Sequence, residues 1–231
     1  PRELIIKRFL KLDVQYVFTD HTLRINKNEY GIFKPRLLAF IFSKFYSGFR
    51  VITVSDEIKN SLIHNKIVSA GNEIITILNG VNINEYNNQS LQNDKNKLVA
   101  IYVSRIDNNK GHIDLIKAWA LLKDIENKCL YIVGPDGLNS EIQNTAIELG
   151  CQDSVVFTGS VSNPKEFISK ANIGVFPSYK EGLPLALLEK MAMELPVIVS
   201  DIKELTSIIT DGEDGLTYKL GNVIDLSEKI R

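Results

Sequence analysis

Two carboxylates, Glu181 and Glu189, bracket the segment EGLPLALLE. The first sits on a Gly-Leu-Pro turn, and the second lies eight residues on, inside a stretch that reads as a helix. Pro184 suits the first helical position, where a missing N–H costs nothing. The N–H groups near Gly182 to Leu185, with the dipole of the helix they open, favour a phosphate. Gly182 lets backbone and ligand approach closely. Carboxylates suit hydroxyls rather than phosphates. Glu189, leaning back toward the helix N-terminus, is expected to accept from a ribose diol. Glu181 would accept from sugar hydroxyls or face a developing positive charge. The same residues also admit a plainer reading, with Glu181 as a partner of the helix dipole and Glu189 as a solvated helix residue.

Positive charge comes from a second segment. The apolar run 97–103 leads into Ser104-Arg105-Ile106-Asp107-Asn108-Asn109-Lys110-Gly111, where Arg105 and Lys110 flank one loop. Two cations there can clamp a pyrophosphate and neutralise a departing one. The alternative is a solvated basic loop.

Strands and helices must position these loops. Strands are predicted near 98–103, 129–133, 155–157, 173–176, 197–200 and 216–218. Helices are predicted near 112–123, 139–149, 164–170, 184–194 and 203–209, and another opens near Val223. This alternation implies an α/β fold, a doubly wound parallel sheet that binds ligands in the loops beyond its strands. In the helix after Pro184, residues Leu185, Leu188, Ala192 and Leu195 are expected to face the sheet. Earlier in the chain, a helix is predicted over 1–12, a strand over Val14–Thr19, an apolar helix from Pro35 and a strand over Arg50–Val54. A helix capped around Ser55 and a strand over Ile74–Leu78 follow. The polar, Asn-rich stretch 82–96 reads as a linker.

These motifs resemble those of a known family. VSRIDNNKGHIDLIKAWALL is similar to the phosphate loop of the retaining, nucleotide-sugar-dependent glycosyltransferases of the GT-B fold, family 4. EGLPLALLE resembles their paired-glutamate motif, and ILNGVNINEY the segment that joins their two domains. The order and spacing match over residues 50–231, and more loosely before. The resemblance implies a Rossmann-like C-terminal domain over 97–231, a linker over 81–96, and the last part of an N-terminal Rossmann-like domain over 1–80. The chain is accordingly expected to be a fragment of a longer enzyme.

Further roles follow from the resemblance. Glu181, Arg105 and Lys110 would be the catalytic residues. Glu189, Gly182, Leu183, Pro184, Leu185, Gly134 and Val161 would bind the donor, a UDP- or GDP-sugar. Gly134 opens the loop Gly134-Pro135-Asp136-Gly137, which also reads as a plain turn of turn-forming residues. Val161 belongs to a loop near the nucleotide base. His21 would lie on the acceptor side, although a lone histidine is more often structural. His64 lacks a partner, and His112 reads at most as a helix cap. The acceptor would be a glycan or a lipid-linked glycan. No cofactor and no metal are expected, because no Asp-x-Asp pair is present and the two cations would take a metal's place.

Composition fits this reading. At 231 residues and 44% apolar content the chain can bury a core of one or two domains. A net charge of -1 gives no general attraction to nucleic acid. Cys129 and Cys151 suggest buried hydrophobes and a reducing, cytoplasmic setting. The first 50 residues carry ten Lys or Arg against four Asp or Glu. The aromatic, basic stretch 35–50 invites a reading as a peripheral membrane contact. A core helix of the first domain is preferred, because the apolar residues nearly surround it.

The leading expectation is transfer of a glycosyl group from a nucleotide diphosphate sugar to an acceptor hydroxyl, in polysaccharide or glycolipid synthesis. A nucleotide-sugar epimerase of the same fold is the nearest rival, and the Glu181/Glu189 spacing argues against it. A dinucleotide-binding oxidoreductase would need a G-x-G-x-x-G turn, which the sequence lacks. A non-catalytic binding fragment or subunit is the third alternative.

Overall fold

The computed structural model describes residues 17–20, 50–68, 72–86 and 96–231. The chain divides into two compact units, Pro1–Asn79 and Gly80–Arg231.

The first unit holds a parallel sheet of three strands in the order β1 (Val17–Asp20), β2 (Arg50–Thr53), β3 (Ile74–Thr76). After β2 the chain enters α1 (Asp56–His64), where the Ser55 hydroxyl accepts from the Ile58 N–H at 3.2 Å and caps the helix. Ile58 and Leu62, four residues apart, are both 1% exposed. Of the strand expected at Val14–Thr19, the part within the described residues lies in β1, which extends to Asp20 and pairs in register with Arg50–Thr53. The helices expected over 1–12 and from Pro35, the 35–49 surface and His21 fall outside the described residues.

The second unit is built on a six-stranded parallel sheet. Its strands are β4 (Leu98–Val103), β5 (Lys128–Val133), β6 (Val155–Gly159), β7 (Ile173–Phe176), β8 (Val197–Ser200) and β9 (Leu216–Tyr218). Their spatial order is β6-β5-β4-β7-β8-β9. Strand order therefore reverses between β4 and β7, and a crevice opens at such a point beyond the carboxyl ends of the strands. Strands covered on both sides read as unbroken apolar runs, and from Val99 to Tyr102 every residue of β4 is buried. The connecting helices are α2 (His112–Leu121), α3 (Glu141–Glu148), α4 (Lys165–Ile168), α5 (Leu185–Ala192) and α6 (Lys203–Thr206); α7 (Val223–Ile230) closes the unit.

Helix α2 buries Leu115, Ile116, Ala118 and Trp119 completely. Leu226 and Ile230 of α7 join the same cluster. Each such aliphatic side chain contributes about 1.5–3 kcal/mol. Trp119 also donates from Nε1 to Ser154 Oγ at 3.0 Å. Several helices are shorter than their apolar periodicity predicts, because the last turns tighten. Leu122 N–H bonds Trp119 O, and Ile208 N–H bonds Leu205 O, three residues back.

Helix α5 departs from expectation in its facing. Leu185 is 46% exposed, and Leu188 and Ala192 are half-buried; of the four predicted residues only Leu195, beyond the helix, is buried. The buried helical positions are Leu187 and Lys190. Lys190 fits under the helix because Gly174 in β7 has no side chain: a Cβ there would lie 2.6 Å from Lys190 Cδ. Pro184 is the N-cap, with extended backbone, so the helix begins one residue later than predicted.

Candidate functional site

The loops after β4 and β7 flank the point where strand order reverses. The β4 loop is shaped by Asp107, whose carboxylate accepts from Asn109 N–H at 2.9 Å and starts a tight turn over Asn108–Lys110. Gly111 ends the turn with φ +67, and a Cβ on it would lie 1.9 Å from Pro177 O. Only glycine lets the two loops meet backbone to backbone. Tyr179 N–H then bonds Asn109 O at 2.9 Å, and the Tyr179 hydroxyl reaches Asp114 at 2.5 Å.

This junction delivers Lys110 to Glu181, Nζ to Oε2 at 2.7 Å. The two side chains are 22% and 9% exposed, so the pair is largely shielded from water. Glu181 Oε1 accepts from Ser178 Oγ at 2.6 Å. Ser178 Oγ has one proton and spends it on Glu181, so the Tyr102 hydroxyl, 2.7 Å away, donates to Ser178. Burial, and then the Glu181 charge, push the Tyr102 hydroxyl well above its ordinary value, which keeps it a donor. Ser200 Oγ donates to Ser178 O at 2.6 Å and ties the arrangement to β8. Glu181 is thus held by a cation on one oxygen and by a hydroxyl relay on the other. A held carboxylate presents fixed lone pairs to a ligand.

Arg105 stands apart, 69% exposed and paired with Asp107 at 2.9 Å. Sequence reading grouped Arg105 and Lys110 as one clamp. Here each cation has its own carboxylate, and only Lys110 touches Glu181. Gly182, Leu183 and Pro184 form the half-exposed turn into α5, and Leu185 is its first residue. First-turn N–H groups of a helix have no partner within it. Glu189 lies in the second turn of α5, half-buried, and burial followed by the Glu189 charge pushes the Tyr86 hydroxyl up to about 12.

Gly134 has φ +147, and a Cβ there would lie 2.0 Å from Ser104 O. It seats the β5 loop against the β4 loop, and Ile106 N–H bonds Pro135 O at 2.9 Å beside it. Val161 is half-buried and packs on an apolar cluster that includes Tyr86, Ala192 and Met193. His112 does not cap α2. Gly111 holds the cap position, and His112 is the first helical residue, 1% exposed with its ring centroid 4.7 Å from that of Tyr102. Both its nitrogens lack a protein partner, and burial holds it down to about 4, so the ring is neutral. It lines a cavity of about 190 Å³ with Asp107, Asn108, Asp114, Leu138 and Tyr179. His64 is exposed at the end of α1, and Cys129 and Cys151 are buried and unpaired with each other.

Among the described residues, no three His, Cys, Asp or Glu side chains converge as a metal site would need, and no helix is long and apolar enough to cross a membrane. Sequence reading missed Tyr102, Ser178 and Ser200. The available signal was a hydroxyl inside or beside an apolar strand, because a buried hydroxyl needs a partner.

The model of the family described as glycosyl transferases group 1 matches residues 83–231. The putative glycosyltransferase EpsD of Bacillus subtilis is 35% identical over 133 residues, which cover 57% of this chain and 35% of that protein. The capsular polysaccharide biosynthesis glycosyltransferase CapM of Staphylococcus aureus is 28% identical over 194 residues, covering 78% of this chain and 50% of the relative. The chain thus spans half the length of these relatives or less. Among solved structures, Anabaena HepE in complex with UDP and glucose superposes with a TM-score of 0.80 at 17% identity, over 99% of this chain and 64% of the other. A sucrose-phosphate synthase from Thermosynechococcus elongatus gives 0.76 at 23% identity, over 97% and 60%. At these identities the structures show a shared fold.

Proposed function

Because the chain belongs to the glycosyl transferases group 1 family, we propose that the protein moves a sugar from a nucleotide diphosphate sugar to an acceptor hydroxyl, with retention of anomeric configuration, as a family 4 member of GT-B type. The observation that carries the reading is the Lys110–Glu181–Ser178 cluster at the reversal of strand order. A cation and a held carboxylate side by side suit a ligand with one anionic part and one hydroxyl-rich part.

In this reading the donor's diphosphate draws Lys110 and Arg105, and the amide groups at the start of α5 add to their pull. The bond from the anomeric carbon to the phosphate oxygen breaks, its electron pair leaves with the nucleoside diphosphate, and the acceptor oxygen bonds to that carbon as its proton passes to the departing phosphate. The two cations and the helix dipole stabilise the charge of the leaving group. Glu181, released in part from Lys110 by the phosphate, orients sugar hydroxyls and faces the positive charge that builds on the sugar ring. Glu189 accepts from the ribose diol, and Val161 and Gly134 border the nucleotide. UDP or GDP is the nucleotide of choice, and the UDP complex of HepE is consistent with the former. Residues 97–231 would be the donor domain, 81–96 the linker and 1–80 part of the acceptor-side domain, with His21 near the acceptor. The acceptor would be a glycan or lipid-linked glycan, consistent with the capsular relative, and the setting the cytoplasm.

The test is to supply the full-length protein with a panel of UDP-, GDP- and ADP-sugars and follow nucleotide release with and without acceptor. Release that needs both donor and acceptor is expected. A protein that neither binds nor releases any nucleotide across the panel would sink the reading.

A further inference from the structure

Beyond the contact of Gly111 with Pro177, the β4 and β7 loops are joined by a main-chain bond, an ion pair and a hydroxyl. Tyr179 N–H bonds Asn109 O at 2.9 Å, Lys110 pairs with Glu181 at 2.7 Å, and the Tyr179 hydroxyl donates to Asp114 Oδ2 at 2.5 Å. The last of these reaches past the loop to the first turn of α2. Its length is that of a hydroxyl bonded to an ionised carboxylate, the stronger class of hydrogen bond. The turn before α7 also runs past the tip of the ring, since a Cβ on Gly221 would lie 3.4 Å from the hydroxyl. Tyr179 is still 44% exposed, so burial alone does not fix its ring. The bond to Asp114, and then burial, push the hydroxyl up to about 12, so it remains a donor throughout any ordinary assay range.

The links differ in what a donor does to them. In the transfer reading given above, on which this inference rests, the diphosphate draws Lys110 and releases Glu181 in part. The ion pair between the loops therefore weakens as the site fills. The bond from Tyr179 to Asp114 uses neither Lys110 nor Glu181 and survives that change. Ser178, whose hydroxyl holds Glu181 Oε1 at 2.6 Å, is the neighbouring residue in the chain. We propose that Tyr179 is a positioning residue whose hydroxyl, latched on Asp114, keeps Glu181 against the sugar once the diphosphate has taken Lys110. A carboxylate that loses its ion-pair partner gains freedom, and a misplacement of about 1 Å can cost about a hundredfold in rate. The latch limits that drift from the far side of the loop.

The experiment uses the full-length protein and the donor that the wild type turns over from the panel of UDP-, GDP- and ADP-sugars. Tyr179→Phe removes only the hydroxyl, Asp114→Ala removes the acceptor, and Asp114→Asn keeps an oxygen that can accept. Each variant is followed in turnover and by calorimetric titration with UDP and GDP. Tyr179→Phe is expected to lower kcat about tenfold, with donor KM and nucleotide affinity within about twofold of wild type. Asp114→Ala should match it and serves if Tyr179→Phe melts early, whereas Asp114→Asn should keep at least about half of the wild-type kcat. In a Glu181→Gln background, Tyr179→Phe should lower kcat by less than about a further twofold, because the carboxylate through which it acts is already gone. An unchanged kcat in Tyr179→Phe or Asp114→Ala, the same loss with and without the Glu181 carboxylate, or a nucleotide affinity that falls as far as kcat overturns the inference and leaves the transfer reading standing. If the wild type turns over no donor across the panel, the transfer reading fails and this inference falls with it.

Discussion

Lys190→Met tests the electrostatics of the helix that carries Glu189. Lys190 is 0% exposed, with its ammonium 3.3 Å from Ala186 O and 4.7 Å from the Phe176 ring centroid. Burial lowers its pKa from 10.5 to about 7, against a weaker opposing pull from Glu189. Between those values the folded state binds fewer protons than the unfolded chain, so wild-type stability rises with pH through that window. At about 1.4 kcal/mol per pH unit the buried lysine costs on the order of 5 kcal/mol at and below pH 7, and less as pH rises. Methionine has a similar length, no charge and a flexible chain that fits irregular space. It gives up one hydrogen bond, worth about 1 kcal/mol. The variant should therefore be more stable by roughly 2–4 kcal/mol at pH 6.5. The gain should shrink by about 1.4 kcal/mol for each pH unit above 7 and be nearly gone by pH 9.5. Urea unfolding followed by fluorescence of Trp119 reads this directly, since it is the only tryptophan in the sequence and is 0% exposed beside the sheet. A stability difference that does not change between pH 6.5 and 9.5, or a methionine variant less stable at pH 6.5, would refute the argument.

Three further outcomes are expected. Lys110→Ala should weaken nucleoside diphosphate binding by at least about tenfold and nucleoside binding by less than about twofold; equal effects by calorimetry would remove Lys110 from the phosphate site. Ser178→Ala strips Glu181 of its hydroxyl donor and leaves the buried Tyr102 hydroxyl without its acceptor, so it should cost about 1–3 kcal/mol in urea unfolding and lower kcat about tenfold. Unchanged stability and unchanged kcat together would show that the relay does not hold Glu181. Gly111→Ala places a methyl 1.9 Å from Pro177 O at φ +67 and should destabilise the second unit by about 3 kcal/mol or more. A melting temperature within a degree of wild type would show that the loops separate freely.

The sheet of the second unit was legible because parallel strands buried on both faces are apolar runs bounded by turn residues, as in Leu98–Val103 and Val197–Ser200. The loops that carry Arg105, Lys110 and Glu181 were legible because they follow such strands. The facing of α5 was not. Periodicity assigned apolar residues to the inside, but the space left by Gly174 admits a lysine, and Leu185 turns outward at the start of the helix. The hydroxyl relay was hidden for a related reason. Tyr102 counts as apolar in a strand pattern, and Ser178 looks like a loop residue. Only the fold shows that the two meet, 76 residues apart, beneath Glu181. Separate carboxylates for Arg105 and Lys110 could not be read from spacing either, because pairing depends on how the turn at Asn108–Lys110 aims each side chain.

The contact of Gly111 with Pro177 divides labour between main chain and side chains. Separation of the two loops is set by backbone atoms and by a missing methyl. Lys110, Glu181 and the residues from Gly182 to Leu185 hang from that frame without determining its width. Mutational drift in those side chains can therefore retune which ligand is favoured while the jaw keeps its bite, whereas drift at Gly111 would change the bite first. For anyone redesigning donor preference, the frame should be left alone, together with Lys110 and Glu181, and changes confined to the turn from Gly182 to Leu185.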